Sequence, residues 1–589
     1  MISQLSWKVG GQQGEGIDST GEMIAIALNR LGYYLYGYRL FSSRIKGGHT
    51  EYKIRVSTKP IGAISDKVDI LVAFDQETID VNLQELHENS LIIADSKFSP
   101  QVPEDRKGNL YTVPFTEIAD QLGTSLMKNM VALGASTIVL GLQPEVFTEV
   151  VTEVFAKKGP SVIAKNMEAI SKGAEYFLAQ QGGNPSNLQL EPADGKKRMF
   201  MIGNEAISLG FIAAGVRFMS AYPITPASEI MEYLSKKLPE LGGAVIQTED
   251  EIAAATMAIG GNFAGVRTIT ATSGPGLSLM TEAIGLAGMT ETPLVIVNTQ
   301  RGGPSTGLPT KQEQSDVNAM IYGTHGEIPK VVLAPGTAEE AFYDAIEACN
   351  IAEEYQVPVI LATDLQLSLG KQTVEPLDFN RIQIRRGKLV MEDQEEQANG
   401  LFKRYAFTED GVSPRVIPGV KNGIHHVTGV EHSETGRPSE QTANRKKMMD
   451  KRLNKLSSLR IPNAILVDAK QETPDVLFVS MGSTRGAVHE AAEQLEQEGM
   501  KFNHVHVRQL CPFPVQDILP YVQQAKRIVV VENNATAQLA DQLKLYTGNA
   551  EKIASVLKYD GNPFLPSIIY QETKELMKSW QPSKTFVMM

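Results

Sequence analysis

Cysteine is nearly missing: a chain of 589 residues carries two, Cys349 and Cys511. An all-cysteine iron–sulfur cluster needs four ligands, so this chain holds none by itself. Two cysteines also exclude a disulfide framework. Long apolar runs are absent; none approaches the roughly 20 residues that span a bilayer. The opening segment MISQLSWKVGGQQGEG has no signal-peptide core, so the expectation is a cytoplasmic chain with no membrane partner. Positive charge is not in excess either. The net charge is −12, whereas a nucleic-acid binder shows a basic stripe. Metal signatures are few. His425, His426 and His432 cluster without HExxH or CxxC, which fits a solvated loop better than a zinc site, and no metal ligand is assigned.

What is present is an ordinary globular composition, 42% hydrophobic and 21% charged, in a chain too long for one core. Residues 1–180 alternate apolar strands with helices and read as an α/β domain. Runs such as VDILVAFD and SLIIADS suit a parallel sheet. Residues 181–195 are polar, with Gly and Pro, and read as a linker. Residues 196–375 give strand candidates AVIQT, RTITATS, PLVIVNT, KVVLA and PVILAT, and their alternation with helices suggests a doubly wound parallel sheet. Residues 376–470 are charged and loop-rich and end in a basic helix. They read as a connector or a partner-binding arm. Residues 471–589 form a smaller α/β block. No internal repeat is evident.

Several stretches could carry chemistry. GGQQGEG follows a strand and opens a helix, so Gly11, Gly14 and Gly16 could let backbone N–H groups approach a phosphate. The spacing is not the dinucleotide fingerprint, Glu15 adds negative charge, and a tight structural turn explains the glycines equally. The following SSRIKGGHT offers Arg44 and Lys46. Residues 221–228, AYPITPAS, place Thr225 between two prolines that fix their own φ and extend the residues before them. That stiff turn either displays a hydroxyl to a ligand or simply ends a strand. Ser228 could cap the next helix, with Glu229 in its first turn. Glu249, Asp250 and Glu251 open a helix of small residues, TATSGPGLSLM feeds a tight turn at Ser273-Gly274, and Arg301 ends a strand before a glycine-rich loop. Arg301 suits a carboxylate. All follow apolar strands, where open α/β sheets bind ligands.

With AYPITPAS, TEDEIAAATMAIGG, ITATSGPGLSLM and QRGGPSTGLPT in this order, the chain resembles the 2-oxoacid:ferredoxin oxidoreductases, in particular the α subunit of the 2-oxoglutarate type with an N-terminally fused γ domain. The likeness covers essentially the whole chain. It implies a γ-type domain, a pyrimidine-binding domain for thiamine diphosphate and a transketolase C-terminal-like domain. It places Thr225 at the substrate and cofactor. It makes Glu251 the carboxylate that protonates the aminopyrimidine ring, because Gly260 and Gly265 then keep the family's spacing; Glu249 is the fallback. Arg301 becomes the carboxylate-binding arginine. Tyr222, Pro223, Ile224, Ser273 and Gly274 join as cofactor-binding candidates. The γ-type domain implies coenzyme A, with Gly11, Gly14, Gly16, Arg44 and Lys46 as candidates. The GDG pattern that holds Mg²⁺ and the diphosphate in this enzyme class is absent: ADGKK, EDGVS and YDGNP do not fit. The resemblance therefore implies half an enzyme. A β subunit would bring the diphosphate site, Mg²⁺ and an iron–sulfur cluster, and ferredoxin would take the electrons. The pair would form a heterodimer or a dimer of heterodimers. The alternatives are a related thiamine enzyme for a branched-chain 2-oxoacid, pyruvate or an aryl-pyruvate, or a non-catalytic scaffold.

Overall fold

The computed structural model describes residues 1–40, 48–181, 188–395 and 400–583. They fall into two compact units. Among the described residues, no helix is long and apolar enough to cross a membrane.

The first unit is Met1–Met201 with Leu369–Pro376 and Leu565–Ser567. Its eight-stranded sheet is built around Gln4–Gln12. Val68–Ala73, Leu86–Asp95 and Leu110–Val113 extend one side in parallel. On the other side His49–Ser57 and Tyr34–Leu40 run antiparallel, followed by Lys371–Val374 and Met199–Ile202. The sheet is thus mixed. Apolar runs locate strands, but strands buried on both faces carry no alternation from which direction could be read. Successive residues of the central strand face opposite ways. Trp7 is buried and its indole N–H donates to Ser136 Oγ at 3.2 Å. Lys8 is buried too, and its ammonium is paired with Glu51 at 2.8 Å and Glu85 at 3.1 Å. Helices Lys128–Val139 and Pro160–Gln181 approach so closely that a Cβ on Gly134 or Gly173 would strike the other helix's backbone carbonyl.

The second unit is Ile202–Ser368 with Leu377–Phe564 and Ile568–Met589. Its seven-stranded sheet has the spatial order Gln509–Cys511, Val331–Leu333, Pro358–Asp364, Leu294–Gln300, Thr268–Thr272, Phe218–Ala221, Ala244–Gln247. All pairings are parallel except the one to Gln509–Cys511. From Phe218–Ala221 the chain first adds Ala244–Gln247 on one side and then Thr268–Thr272 on the other. That reversal is a topological switch point, where ligands bind beyond the carboxyl ends of the strands. The AYPITPAS turn and the TSGPG turn flank it.

The five-stranded sheet of Ile465–Ala469, Phe502–Val507, Val476–Ser480, Arg527–Glu532 and Ile553–Leu557 is parallel apart from its antiparallel first edge. Among the described residues of 377–441, regular structure is limited to one short 3₁₀ turn, the two-residue pair Leu389–Val390 with Arg415–Val416, and an isolated bridge between His432 and Pro438. The basic helix Thr442–Asn454 is anchored within the chain. Lys451 Nζ lies 2.7 Å from both oxygens of the buried Glu291, Lys455 Nζ lies 2.5 Å from one of them, and Arg452 binds Glu431 at 2.6 Å. Only the outer residues, such as Lys446 and Lys447, remain exposed. The charges on its inner face serve an internal contact.

Candidate active site

The polar groups at the switch point are assembled from strand ends. Arg301 follows Leu294–Gln300 and is 7% exposed. Its Nη1 donates to the Thr225 carbonyl at 2.7 Å, and its Nη2 donates to the Thr306 carbonyl at 3.2 Å. Asn204 Nδ2 holds the next carbonyl, that of Pro226, at 2.7 Å. The turn after Phe218–Ala221 is therefore fixed by two side chains from elsewhere in the sequence. Tyr222 is 40% exposed, and Pro223, Ile224 and Thr225 are half-buried. The following helix, Ser228–Lys237, has Ala227 at its N-cap and no side-chain cap. Ser228 is its first residue rather than its cap, and the Ala227 N–H closes the preceding turn on the Ile224 carbonyl at 2.8 Å.

Glu251 opens the helix Glu251–Phe263, behind an Asp250 cap whose side chain accepts from the Ala253 N–H at 2.7 Å. It is 5% exposed. Burial, and secondarily the charge of Asp250, raise its carboxyl above the ordinary range. Gly276 lies against it: an added Cβ would strike Thr272 Oγ1 and come within 2.5 Å of Glu251 Oε1. Ser273 precedes the short helix Gly274–Leu279 and is fully buried, and its Oγ has no partner. Gly274 faces Asp316, whose Oδ2 accepts from Asn298 Nδ2 at 3.1 Å. Burial raises the Asp316 carboxyl, and the charge of Arg301 opposes that rise, which places the two groups within electrostatic reach. Thr270 Oγ1, Asn298 Oδ1 and Arg301 Nε are likewise buried without partners. Buried polar groups are normally paired, so these unpaired atoms, carried on or just after neighbouring strands of one sheet, make this end of the sheet the candidate place for a polar ligand. A cleft of about 500 Å³ elsewhere in this unit is lined by Asp344, Arg485 and Arg508 among others. Its Arg508 is bound to Asp344 and its Arg485 to Glu340, and it contains none of these strand-end groups.

Three family descriptions match the chain. "Pyruvate flavodoxin/ferredoxin oxidoreductase, thiamine diP-bdg" covers residues 209–451, "Pyruvate ferredoxin/flavodoxin oxidoreductase" covers 6–176, and "Pyruvate:ferredoxin oxidoreductase core domain II" covers 474–569. The 2-oxoacid:ferredoxin oxidoreductase subunit alpha of a Sulfolobus species is 35% identical over 95% of each chain. The chain belongs to the 2-oxoacid:ferredoxin oxidoreductase family. Another relative, the 2-oxoglutarate oxidoreductase subunit KorA of Mycobacterium tuberculosis, is 30% identical over 94% of this chain and 89% of its own. A solved 2-oxoglutarate:ferredoxin oxidoreductase from Magnetococcus marinus, with 2-oxoglutarate, coenzyme A and succinyl-CoA bound, aligns with a TM-score of 0.91. It is 36% identical and covers 98% of this chain and 100% of that one. As in relatives named as α subunits, the chain is one component of a multi-subunit oxidoreductase.

Within this family member, Thr225, Arg301, Glu251, Ser273 and Gly274 all stand on strand ends around the switch point. Glu249, two residues before Glu251, is exposed. The glycine loop belongs to the first unit. Gly10 and Gly11 lie in the strand, where an added Cβ would strike Thr78 or Ile17. Gly14 and Gly16 have φ of 99° and 84°, a region that favours glycine. An added Cβ at Gly14 would meet nothing within 4 Å, so that turn is open. The Glu15 charge is offset by Lys128 at 2.5 Å, while its other oxygen accepts from the Gln12 N–H at 2.9 Å. Arg44 and Lys46 lie outside the described residues. Sequence reading passed over Asn204, Asn298 and Asp316. Asn298 left one signal, an amide directly after the apolar run LVIV.

The donor set suits the pyrimidine end of thiamine diphosphate. A buried carboxyl with raised proton affinity would serve a ring nitrogen, and the unpaired Ser273, Thr270 and Asn298 oxygens would serve its amino group. Among the described residues there is no acidic cluster at this site of the kind that holds a metal-bound diphosphate.

Proposed function

We propose that the chain is the α subunit of a 2-oxoglutarate:ferredoxin oxidoreductase, which converts 2-oxoglutarate and coenzyme A to succinyl-CoA and CO₂. Two electrons leave through a partner's iron–sulfur cluster to ferredoxin. The observation that carries this reading is the buried Glu251 carboxyl among unpaired polar atoms at the switch point. Thiamine diphosphate, when bound, supplies the electron sink for decarboxylation. Glu251 exchanges a proton with a ring nitrogen, in a low-dielectric site where one charge has its largest effect. Arg301 positions the Thr225 turn through its Nη atoms and retains Nε for the substrate carboxylate. The block 196–375 then serves as the pyrimidine-binding domain, 471–589 as the transketolase C-terminal-like domain, and 376–470 joins them. The γ-type block 1–180 takes coenzyme A, with the open turn at Gly14 supporting Gly11, Gly14 and Gly16 as contacts. A β subunit supplies Mg²⁺, the diphosphate site and the cluster, in a heterodimer or a dimer of heterodimers in the cytoplasm. The exposed apolar face of the Glu251 helix, Ile252 and Met257, supports that association.

The test is coexpression with the β partner and an anaerobic assay of coenzyme A-dependent reduction of a low-potential acceptor. 2-Oxoglutarate is expected to give the highest kcat/KM among 2-oxoglutarate, pyruvate, branched-chain and aryl 2-oxoacids. Glu251→Gln is expected to lower kcat by about 10²-fold or more while the complex still assembles. A better 2-oxoacid would replace the substrate. Full activity in Glu251→Gln would remove the carboxylate's role, and inactivity towards every 2-oxoacid would leave a scaffold.

A further inference from the structure

A second group of polar side chains gathers in the first unit. One donor atom each from His49, Asp75 and Glu77 lies within 4.8 Å of the others. His49 begins the strand His49–Ser57, opposite Gln12. Asp75 and Glu77 stand at the head of the helix Gln76–Asn82, just past the strand Val68–Ala73. The group therefore sits at the carboxyl ends of the parallel strands Gln4–Gln12 and Val68–Ala73, the edge at which open α/β sheets receive ligands.

Two of these side chains are held in place by other groups. His49 Nε2 is 3.1 Å from Glu51 Oε1, and the Glu51 carboxylate is itself anchored by Lys8 at 2.8 Å and by Asn82. In the neutral imidazole, a carboxylate that accepts the Nε2 hydrogen leaves the lone pair on Nδ1, and a cation there would compete with the proton that the neighbouring carboxylates favour. That nitrogen is buried and has no partner. A carboxylate behind the far nitrogen is how metal-binding imidazoles are commonly oriented. Asp75 is divided in the same manner. Its Oδ1 accepts from the Thr78 N–H at 2.9 Å and the Thr78 hydroxyl at 2.7 Å. Its Oδ2 is buried and unpartnered. Helix capping needs one oxygen, and the other is left with nothing to accept from. Two buried acceptors without donors, beside an exposed carboxylate that is free to adjust, share one solution in a cation.

We propose that His49, Asp75 and Glu77 bind a first-row divalent cation of the manganese-to-zinc range. The donor set selects the class. Imidazole suits transition ions, the two carboxylates supply a charge of −2, and no thiolate is present. Three protein ligands leave coordination positions open for water or for an anionic ligand oxygen. The site adjoins the glycine loop assigned above to coenzyme A, through the pairing of His49 with Gln12, but its test does not depend on that assignment.

The experiment uses the isolated full-length chain, stripped with a chelator and exchanged into chelator-free buffer. Zn²⁺ binding is followed by calorimetry and Mn²⁺ binding by loss of the free-ion electron paramagnetic resonance signal. One saturable equivalent per chain is expected for at least one ion. His49→Gln and Asp75→Asn should each weaken it at least tenfold; asparagine keeps the capping oxygen of Asp75. Glu77→Gln, at an exposed position, should weaken it several-fold and keeps the test valid if a buried variant fails to fold. The proposal is overturned if neither ion finds a saturable site, or if the site's affinity survives all the substitutions that fold.

Discussion

At the scale of single residues, Glu249 and Glu251 share a charge and a helix start but not an environment. Glu249 is exposed, whereas Glu251 is buried against Gly276 with its proton affinity raised. That contrast makes Gly276 a residue to test. A methyl at Gly276 would meet Thr272 Oγ1 and the Glu251 carboxylate, and a packed core can make room for it only by moving one of them. Gly276→Ala is expected to cost about 1–3 kcal/mol of stability and to depress kcat while the reconstituted complex still forms. Unchanged kcat would mean that the carboxylate position has no bearing on turnover. Thr225, Glu251 and Arg301 stand out as candidates in the sequence because short motifs with prolines, acids and glycines mark them. Asn204, Asn298 and Asp316 do not. Their partnerships span 16 to 25 residues, and no local pattern announces that such distant polar groups converge.

At the scale of elements, apolar runs bounded by glycine or acidic residues located the strands of both large sheets, because burial on two faces demands continuous hydrophobicity. Strand direction was not readable, and the antiparallel half of the first sheet emerges only from its register. Gln509–Cys511 was hidden for a different reason. It is three residues long and leaves the C-terminal block to pair with Val331–Leu333. The connector shows the same limit. Its basic helix reads as part of a connector or a partner-binding arm, yet Glu291, 160 residues before Lys451, reaches it in the interior. Burial alone would raise the Glu291 carboxyl, but Lys455, Lys451 and Arg404 hold it well below the usual carboxylate range. Removing that charge leaves two buried ammonium groups opposed only to each other. Glu291→Gln is expected to destabilise this region by about 3–5 kcal/mol and to speed tryptic cleavage between residues 400 and 440. Cleavage at the wild-type rate would show that the buried pairs do not hold the connector.

At the scale of the whole molecule, the proposed reaction releases two electrons that this chain has no means to store. Its cysteines number two, half of what one all-cysteine cluster requires. Both thiols are also withdrawn from chemistry. Burial pushes Cys349 up to about 12 and Cys511 up to about 11, so neither carries appreciable thiolate near neutral pH, and the thiolate is the form that binds metal or attacks. On the proposed function the redox centre arrives with another subunit, and that separation can be tested directly. Purified anaerobically by itself, the chain is expected to be colourless, with no iron and no cluster absorbance. Its thiols should react slowly with a disulfide reagent when native and rise to two per chain on unfolding. The brown colour and the iron should appear only with the β partner and should leave with it when the complex is separated. Iron retained by the isolated chain would place a redox centre on non-cysteine ligands here and would end the division of labour on which the proposed function rests.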